Sequence, residues 1–329
     1  MQLSCAFATS MDTPEHIRVA EGLGYGRAWC YDSPGLYPDV WVTLARAAER
    51  TARIGLGPGV LVPSLRHPMV NAAAIATLEA LAPGRVAIAV GAGFTGRLVL
   101  GQRPMRWSDV AAYVGVLRAL LRGEEATWEG TTVKMLHPGG FGAPRPIEVP
   151  VLLGADGPKG IAVAEELGTG IFCAGAVTEG AAAFDDVSLL AFGTVLEPGE
   201  DASSDRVRAA AGHAVAVAYH AVYERSGAGV DGLPGGAAWR GAVEAVPVER
   251  RHLATHEGHL VAPNDRDALA LDAEPGLAAS LTLTGTPEVV RGRVDALAAR
   301  GVTELAYQPA GPDIPRELEA FAAAVHAGA

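Results

Sequence analysis

Short apolar runs alternate with longer amphipathic stretches along this chain, and the alternation is clearest near residues 54–91. Residues 54–62 and 86–91 are apolar runs, each too short for a helix and each ending in Gly or Pro, which is typical of buried parallel strands. Pro68–Leu81, between them, is rich in Ala, Leu, Ile and Thr without an internal breaker, so it predicts a helix. The stretch therefore predicts one strand–helix unit and the strand of the next unit.

The same alternation extends over the whole chain. Further strands are predicted at residues 2–8, 27–31, 151–154, 171–174, 188–196 and 304–308. Helices are predicted at residues 13–23, 39–51, 109–121, 159–167, 206–225, 287–300 and 314–326, and Ser108 is the predicted N-cap of the helix at 109–121. Eight strands alternating with helices predict an α/β fold, a (β/α)8 TIM barrel with insertions.

Two segments are predicted as insertions into this barrel. Residues 127–135 alternate around Glu129-Gly130, which predicts a small hairpin. Residues 203–271 predict a mainly helical insertion, with one long Ala- and Val-rich helix followed by less regular pieces. Since no linker divides the chain, we expect a single domain over residues 1–329.

Composition excludes several classes of protein. The 329 residues exceed the roughly 250 that a barrel requires, and an apolar fraction of 49% is ample for a buried core. The net charge of −11 argues against nucleic acid as a partner, and no apolar run is long enough to predict a membrane span. Three cysteines without a CxxC pair predict no disulfide framework, and the N-terminus shows no signal-peptide pattern, so we expect a cytoplasmic protein.

Glycine-rich strand ends are the first candidates for a site. The third and fourth predicted strands end in GPGV and VGAG, whose small side chains would let a flat ligand or a phosphate approach the backbone. The alternative is that these glycines only make tight turns. The motif GADGPK, residues 154–159, joins a strand to a helix whose first backbone N–H groups could bind phosphate.

Histidines are the second candidates. His252, His256 and His259 stand at helical spacing, as metal ligands can. The sequence is HEGH rather than HExxH, however, and Gly258 weakens a helix here, so we expect no metal ion. Three alternatives stay open for these histidines. His256 and His259 could line the substrate mouth, the cluster could have a purely structural role, or the protein could be a metal-dependent hydrolase. His67 is expected to orient the central loop.

A set of short motifs spread over most of the chain carries a family resemblance. They are Asp32-Ser33, Gly57-Pro58-Gly59-Val60, Pro63, Arg66-His67-Pro68, 72–78, Gly84-Arg85-Val86, Gly91-Ala92-Gly93, Gly157-Pro158-Lys159 and Gly285-Thr286-Pro287-Glu288. With them the chain resembles the bacterial luciferase-like family of flavin and deazaflavin TIM-barrel oxidoreductases. It is most similar to the branch of F420-dependent methylenetetrahydromethanopterin reductases, and the resemblance is weakest over residues 178–280.

The resemblance implies coenzyme F420 as the cofactor, with FMN as the alternative, and a non-proline cis peptide bond at Gly59–Val60. The cofactor contacts that it implies are Asp32, Gly59, Val60, Val62, Ala92, Gly93, Arg97, Asp156, Gly157, Pro158, Gly175 and Ala176. Asp32 could instead cap a helix, but Asp39 stands nearer to the next predicted helix. Phe94 is expected to form an apolar wall for the substrate or the ring, with His256 and His259 also at the substrate.

Two departures from relatives leave the catalytic residues unknown. Sugar-phosphate dehydrogenases of this family carry a glutamate where this chain has Phe94, and the methylenetetrahydromethanopterin reductases carry one where this chain has Ala6. We therefore expect hydride transfer between F420 and a small organic substrate of unknown identity. The alternatives are an FMN-dependent monooxygenase with a separate reductase and a cofactor-binding protein without catalysis. Relatives are commonly dimers, so a homodimer is expected.

Overall fold

Eight parallel strands form one sheet that nearly closes into a barrel in the computed structural model, which describes residues 1–327. Among these described residues the strands are β1 Gln2–Phe7, β2 Arg27–Cys30, β3 Gly55–Pro58, β4 Ile88–Gly91, β5 Ala126–Trp128, β6 Thr131–Val133, β7 Val151–Gly154, β8 Gly170–Ala174, β9 Val187–Phe192 and β10 Glu304–Gln308. The barrel order is β3-β2-β1-β10-β9-β8-β7-β4. Bridges Leu56–Val86 and Leu61–Val90 join β3 to β4 at the seam. The predicted (β/α)8 fold is therefore confirmed.

Helices follow the strands as the alternating pattern predicts. They are α1 Thr13–Gly22, α2 Val40–Ala48, α3 Pro68–Leu81, α4 Phe94–Leu98, α5 Trp107–Arg122, α6 Pro158–Leu167, α7 Asp205–Ser226, α8 Gly236–Glu244, α9 Arg251–His256, α10 Asp265–Ala273, α11 Leu277–Leu281, α12 Pro287–Ala299 and α13 Ile314–His326. The predicted cap at Ser108 is wrong, because α5 begins at Trp107, two residues before the predicted start, with Arg106 in the cap position. In the part of the chain that the structure describes, no helix combines the length and the apolar character needed to cross a membrane.

The chain divides into two compact units. The first contains residues 1–97, 103–190 and 301–306, and the second contains residues 98–102, 191–300 and those from Tyr307 on. The antiparallel pair β5–β6 is a separate two-stranded sheet, turning at Glu129 and Gly130 with φ of 50° and 78°, as a tight hairpin turn requires. The single domain over residues 1–329 stays a prediction, and its last two residues, Gly328 and Ala329, lie outside the described residues.

Trp29 fills the inside of the barrel in the first unit. Its strand pairs with β3 so that Trp29 stands opposite Gly57, and the Phe172 ring packs edge-on against the indole at 5.3 Å between centroids. A Cβ at Gly57 would lie 2.0 Å from the Ala87 carbonyl oxygen and 3.1 Å from the indole. This β3 glycine is thus required by close packing.

Glu304 is buried at the N-terminal end of β10. Its carboxylate accepts hydrogen bonds from Trp29 Nε1 at 3.0 Å, Ser188 Oγ at 2.8 Å and Arg27 Nη1 at 2.7 Å. Three donors compensate for the loss of water around this charge. The polar cluster therefore occupies the end of the barrel opposite to the C-terminal strand ends.

The second unit has its own apolar core, formed by α7, α8, α10 and α11. Its buried members are Ala211, Val215, Tyr219, Val230, Trp239, Val243, Ala270, Leu271, Leu277 and Ala278. Trp239 lies across Tyr219 at 6.1 Å, in an edge-to-face arrangement that aromatic pairs favour. The long helix α7 can therefore carry buried side chains over most of its length.

Candidate functional site

Val60 lies over the C-terminal ends of β4 and β7. An added Cβ at Gly91 would lie 2.8 Å from Val60 Cγ2, and one at Gly154 would lie 2.7 Å from Val60 Cγ1. The Gly59–Val60 peptide bond is cis, as the resemblance implied. The half-exposed Val60 side chain thus covers the glycines that end β4 and β7. These glycines lie at the end of the barrel where (β/α)8 enzymes bind their ligands.

Val62 and Gly93 meet beside this position. Gly93 has a φ of +78°, and a Cβ there would lie 2.4 Å from Val62 Cγ1. Gly96, in the short helix α4, lies against the Asp32-Ser33 segment, with an added Cβ 3.2 Å from Ser33 Oγ. The segments that follow β2, β3 and β4 are therefore brought together. Sites in (β/α)8 barrels are formed in this way, by residues from the ends of several strands.

Asp32 forms a buried ion pair with Arg66. Arg66 Nη1 donates to both Asp32 oxygens at 2.7 and 2.8 Å, and the Val62 N–H donates to Oδ2 at 3.3 Å. Asp32 is 2% exposed, and its burial raises the pKa of the carboxyl group although Arg66 opposes the shift. The pair fixes the segment that carries Val60 and Val62, and the predicted contact of Asp32 with a cofactor stays a prediction.

Asp39 caps α2, as the sequence suggested. Its Oδ1 accepts from the backbone N–H groups of Trp41 and Val42 at 2.9 and 3.1 Å, and its Oδ2 accepts from Arg66 Nη2 at 2.7 Å. Although burial opposes it, the bonds to Arg66 and to the backbone lower the pKa of Asp39. Arg66 therefore joins the end of β2 to the start of α2.

Buried polar side chains hold the main chain of Arg66. The Tyr113 hydroxyl donates to the Arg66 carbonyl oxygen at 3.2 Å and accepts from Asn71 Nδ2 at 2.7 Å. Asn71 Oδ1 in turn accepts from Trp41 Nε1 at 3.0 Å. His67 caps α3 by accepting from the Met69 N–H at 3.0 Å, which agrees with a role in orienting this loop. Such a connected network makes the loop rigid.

The start of α6 offers an exposed set of backbone N–H groups. Gly157 is the N-cap residue, and Pro158 occupies the first turn, where no N–H is needed. Within residues 1–327, no atom outside Gly157 and its two chain neighbours lies within 4 Å of the place where a Gly157 Cβ would stand. Asp156 Oδ1 accepts from the Ala174 N–H at 3.3 Å, which joins this turn to the end of β8.

The other predicted residues of the first unit lie on neighbouring loops. Gly175 and Ala176 are exposed after β8, and Gly175 has a φ of +75°. Arg97 Nε donates to the Arg103 carbonyl oxygen at 2.6 Å, and Ala92 accepts from the Met105 N–H at 2.8 Å. Phe94 is half-buried at the start of α4. Their contacts with a ligand remain predictions.

Three histidines form a buried cluster in the second unit. They are His220 on α7, His256 at the end of α9 and His259 in the following turn, with 1%, 0% and 6% exposure. One ring nitrogen of each lies within 4.8 Å of the others. Burial lowers the pKa of His220 and of His259, so both rings are neutral at pH 7.

The predicted helical face of three histidines is wrong. The helix α9 ends at His256, and Gly258 has a φ of +73°, so His259 lies in a turn. His252 lies outside the cluster and His220 takes its place. The predicted contact of His256 and His259 with a substrate stays a prediction.

Sequence reasoning assigned no role to Arg66 or His220. A signal existed for each of them. Arg66 is a basic residue shortly after one predicted strand, and the acid Asp32 stands at the end of another. His213 and His220 are polar residues seven positions apart in a helix otherwise rich in Ala and Val. Such residues in an apolar helix indicate a buried polar cluster.

A nearly closed parallel barrel with small residues at its C-terminal strand ends defines a (β/α)8 protein, a class whose enzymes bind their ligands at that end. The model of the luciferase-like monooxygenase family matches residues 8–304. The chain therefore belongs to this family, and the family predicted from its motifs is confirmed.

Two curated relatives match this chain over different shares of its length. The 5,10-methylenetetrahydromethanopterin reductase of Archaeoglobus fulgidus is 26% identical over 92% of this chain and 91% of that protein. An F420-dependent glucose-6-phosphate dehydrogenase of Beutenbergia cavernae is 34% identical over 40% of each chain.

Two solved structures share the fold. One is an F420-dependent secondary alcohol dehydrogenase in complex with an F420–acetone adduct, with a TM-score of 0.67, 19% identity and coverage of 99% of both chains. The other is an FMN-bound type II Baeyer–Villiger monooxygenase constituent from Pseudomonas putida, with a TM-score of 0.63, 14% identity and coverage of 99% of this chain and 97% of that one.

Proposed function

We propose that this protein is a coenzyme F420-dependent oxidoreductase that transfers a hydride between the deazaflavin and a small organic substrate. The observation that carries the proposal is the open space at Gly157, at the N-terminus of α6, next to the bare strand ends covered by Val60. A relative over most of the chain is a methylenetetrahydromethanopterin reductase, and a partial relative is named as F420-dependent. Both support F420 more directly than FMN.

The residues of the site fit such a cofactor. The N–H groups of Gly157 and Lys159 have no acceptor within α6, so they can donate to a phosphate, which the helix dipole also favours. Val60 offers an apolar surface to one face of a flat ring, and Gly175 and Ala176 border the same end of the barrel. When bound, F420 supplies the hydride chemistry.

The chain itself positions the cofactor and excludes water. The Asp32–Arg66 pair and the Asn71–Tyr113 bond hold the Val60–Val62 segment at the ends of β4 and β7. Ala6 is fully buried on β1 beside Trp29, its partner on β2. No carboxylate stands at the two positions where relatives carry a glutamate, so the proton donor must come from elsewhere or from the substrate.

An FMN-dependent monooxygenase with a separate reductase is the second candidate. It is favoured by the FMN-bound structural neighbour, which has the same fold over nearly its whole length. A cofactor-binding protein without catalysis agrees with the missing glutamates. A homodimer, a small-molecule substrate and a cytoplasmic location also remain proposals.

Titration of the cofactor-free protein with F420 and with FMN, followed by fluorescence quenching, tests the proposal. We expect F420 to bind at least tenfold more tightly, a difference of about 1.4 kcal/mol. Gly157→Asp should weaken F420 binding, because its side chain and charge would enter the space that faces the phosphate. Gly157→Ala is the matched control for the backbone. Tighter binding of FMN would favour the monooxygenase, and an F420 affinity of Gly157→Asp equal to that of the parent protein would place the phosphate elsewhere.

A further inference from the structure

We propose that His220, His256 and His259 bind one divalent transition-metal ion of the zinc type inside the second unit. The three side chains come from two helices and a turn, and 39 residues separate His220 from His259. The site is distinct from the glycine-rich strand ends, which belong to the first unit. It revises the expectation of no metal, which rested on HEGH alone.

The spacing of the nitrogens fits a small tetrahedral ion. His220 Nδ1 lies 3.1 Å from His259 Nδ1, and the three candidate ligand atoms lie within 4.8 Å of one another. Two imidazole nitrogens on a tetrahedral zinc, each about 2.0–2.1 Å from the ion, are separated by about 3.3–3.4 Å. The His220–His259 pair therefore needs only a slight opening, and His256 a modest approach, to reach ligand geometry.

His220 also has the hydrogen-bonded support that metal-binding histidines have. Its Nε2 lies 3.2 Å from Asp267 Oδ1, which also accepts from Trp239 Nε1 at 2.9 Å. A carboxylate at one ring nitrogen fixes the tautomer, so that the other nitrogen, here Nδ1, has a lone pair for a metal. Asp267 is held in turn by the capping box of α10, where it accepts from the Asn264 N–H.

His256 provides the independent observation. It is fully buried, yet among the described residues neither of its ring nitrogens has a hydrogen-bond partner. An unpaired polar group in a protein interior is costly, so a buried imidazole of this kind needs a partner. A metal ion among the three rings would supply it. Glu224 Oε1, at 3.6 Å from His256 Nε2, is a further oxygen ligand near the site.

Burial assigns the ion a structural role. With 6% exposure at most, the three rings leave no path for a substrate, unlike a catalytic zinc site, which keeps an open position. The ion would fasten α7 to the end of α9 and to the turn that follows it. This turn contains two residues with positive φ, Gly258 and Leu260, and it is not part of a regular helix. Metal binding should therefore stabilise the folded chain.

The test uses the full-length chain without a histidine tag, stripped of metal by a chelator and then supplied with zinc or cobalt(II) alone. We expect one equivalent of zinc per chain to remain after gel filtration, a higher melting temperature, and the intense visible bands of a tetrahedral cobalt site. A protein that retains no zinc, and whose melting temperature zinc does not change, would overturn the proposal. His220 and His259 would then form only a buried hydrogen-bonded pair, with His256 packed beside it.

Variants locate the ion. His256→Ala and the better-packed His256→Gln should both lose the zinc equivalent and the cobalt bands, while His252→Ala, in the same helix but outside the cluster, should retain them. Asp267→Asn should weaken zinc binding about 10- to 100-fold. Trp239→Phe removes the other side-chain hydrogen bond to Asp267 Oδ1 and is the control for that bond. Loss of zinc from His252→Ala alone would overturn the assignment. So would full retention by a folded His256→Gln protein.

Discussion

Arg66→Met should destabilise the protein by about 3–4 kcal/mol at pH 7, because it leaves Asp32 buried without its charge partner. Asp32 would keep one weak donor, the Val62 N–H at 3.3 Å. It can escape the burial of a charge by binding a proton. At pH 7 this costs about 4 kcal/mol for an acid with an ordinary pKa of 3.8, at about 1.36 kcal/mol for each pH unit.

The pH dependence makes the prediction specific. Burial already raises the pKa of Asp32, and removal of Arg66 should raise it further. An acid whose pKa is raised in the folded state contributes stability that is complete below pH 3.8 and is lost as the pH rises through the folded pKa. The deficit of Arg66→Met relative to the parent should therefore shrink as the pH falls from 7 towards 4.

Urea denaturation at a series of pH values measures the deficit. The double variant Asp32→Asn with Arg66→Met should recover most of the stability, because no buried charge then lacks a partner. Arg106→Met, which breaks an exposed pair with Asp109, is the control and should change little. A deficit independent of pH, or one below about 1 kcal/mol as for an exposed pair, would refute the reasoning.

Two other predictions concern packing and acid stability. Gly154→Ala should cost about 1–3 kcal/mol in chemical denaturation, because its Cβ would lie 2.7 Å from Val60 Cγ1. Gly157→Ala should stay within about 0.5 kcal/mol of the parent, and equal costs would contradict the packing argument. Hydrogen bonds from Arg206 lower the pKa of Glu200 from 4.5 to about 2, so its contribution is complete above pH 4.5 and is lost as the pH falls towards 2. Glu200→Gln should therefore make the free energy of unfolding fall less steeply with pH between pH 4.5 and pH 2. A slope equal to that of the parent protein would contradict this role of Glu200.

The barrel could be predicted because its signals are local. Each apolar run ends in Gly, Pro or a polar residue, so the number and order of strands follow from the sequence. Short helices were missed: α4 and α11 have five residues each, too few for a periodic pattern. The start of α5 was misplaced by two residues, since Ser108 is a favoured cap by type but Trp107 already belongs to the helix.

Side-chain partners far apart in sequence could not be predicted. Asp32 and Arg66 are 34 positions apart, and only the fold brings both to the same strand ends. The spacing of His252, His256 and His259 suggested a common helical face, but the positive φ of Gly258 ends that regularity. The third member, His220, comes from another helix. Local spacing thus identified the type of residue and two of the three members, while tertiary packing selected the third.

The glycines at the strand ends show how the structure separates alternatives that the sequence left open. Close packing accounts for Gly91 and Gly154, which lie under Val60, and a positive φ accounts for Gly175. Gly157 has neither reason: its φ of −147° is open to any residue, and no described atom outside Gly157 and its two chain neighbours lies within 4 Å of the position of its missing Cβ. The space beside Gly157, at the N-terminus of α6, leaves room for a ligand. Gly157 is therefore the position at which a cofactor phosphate is best tested.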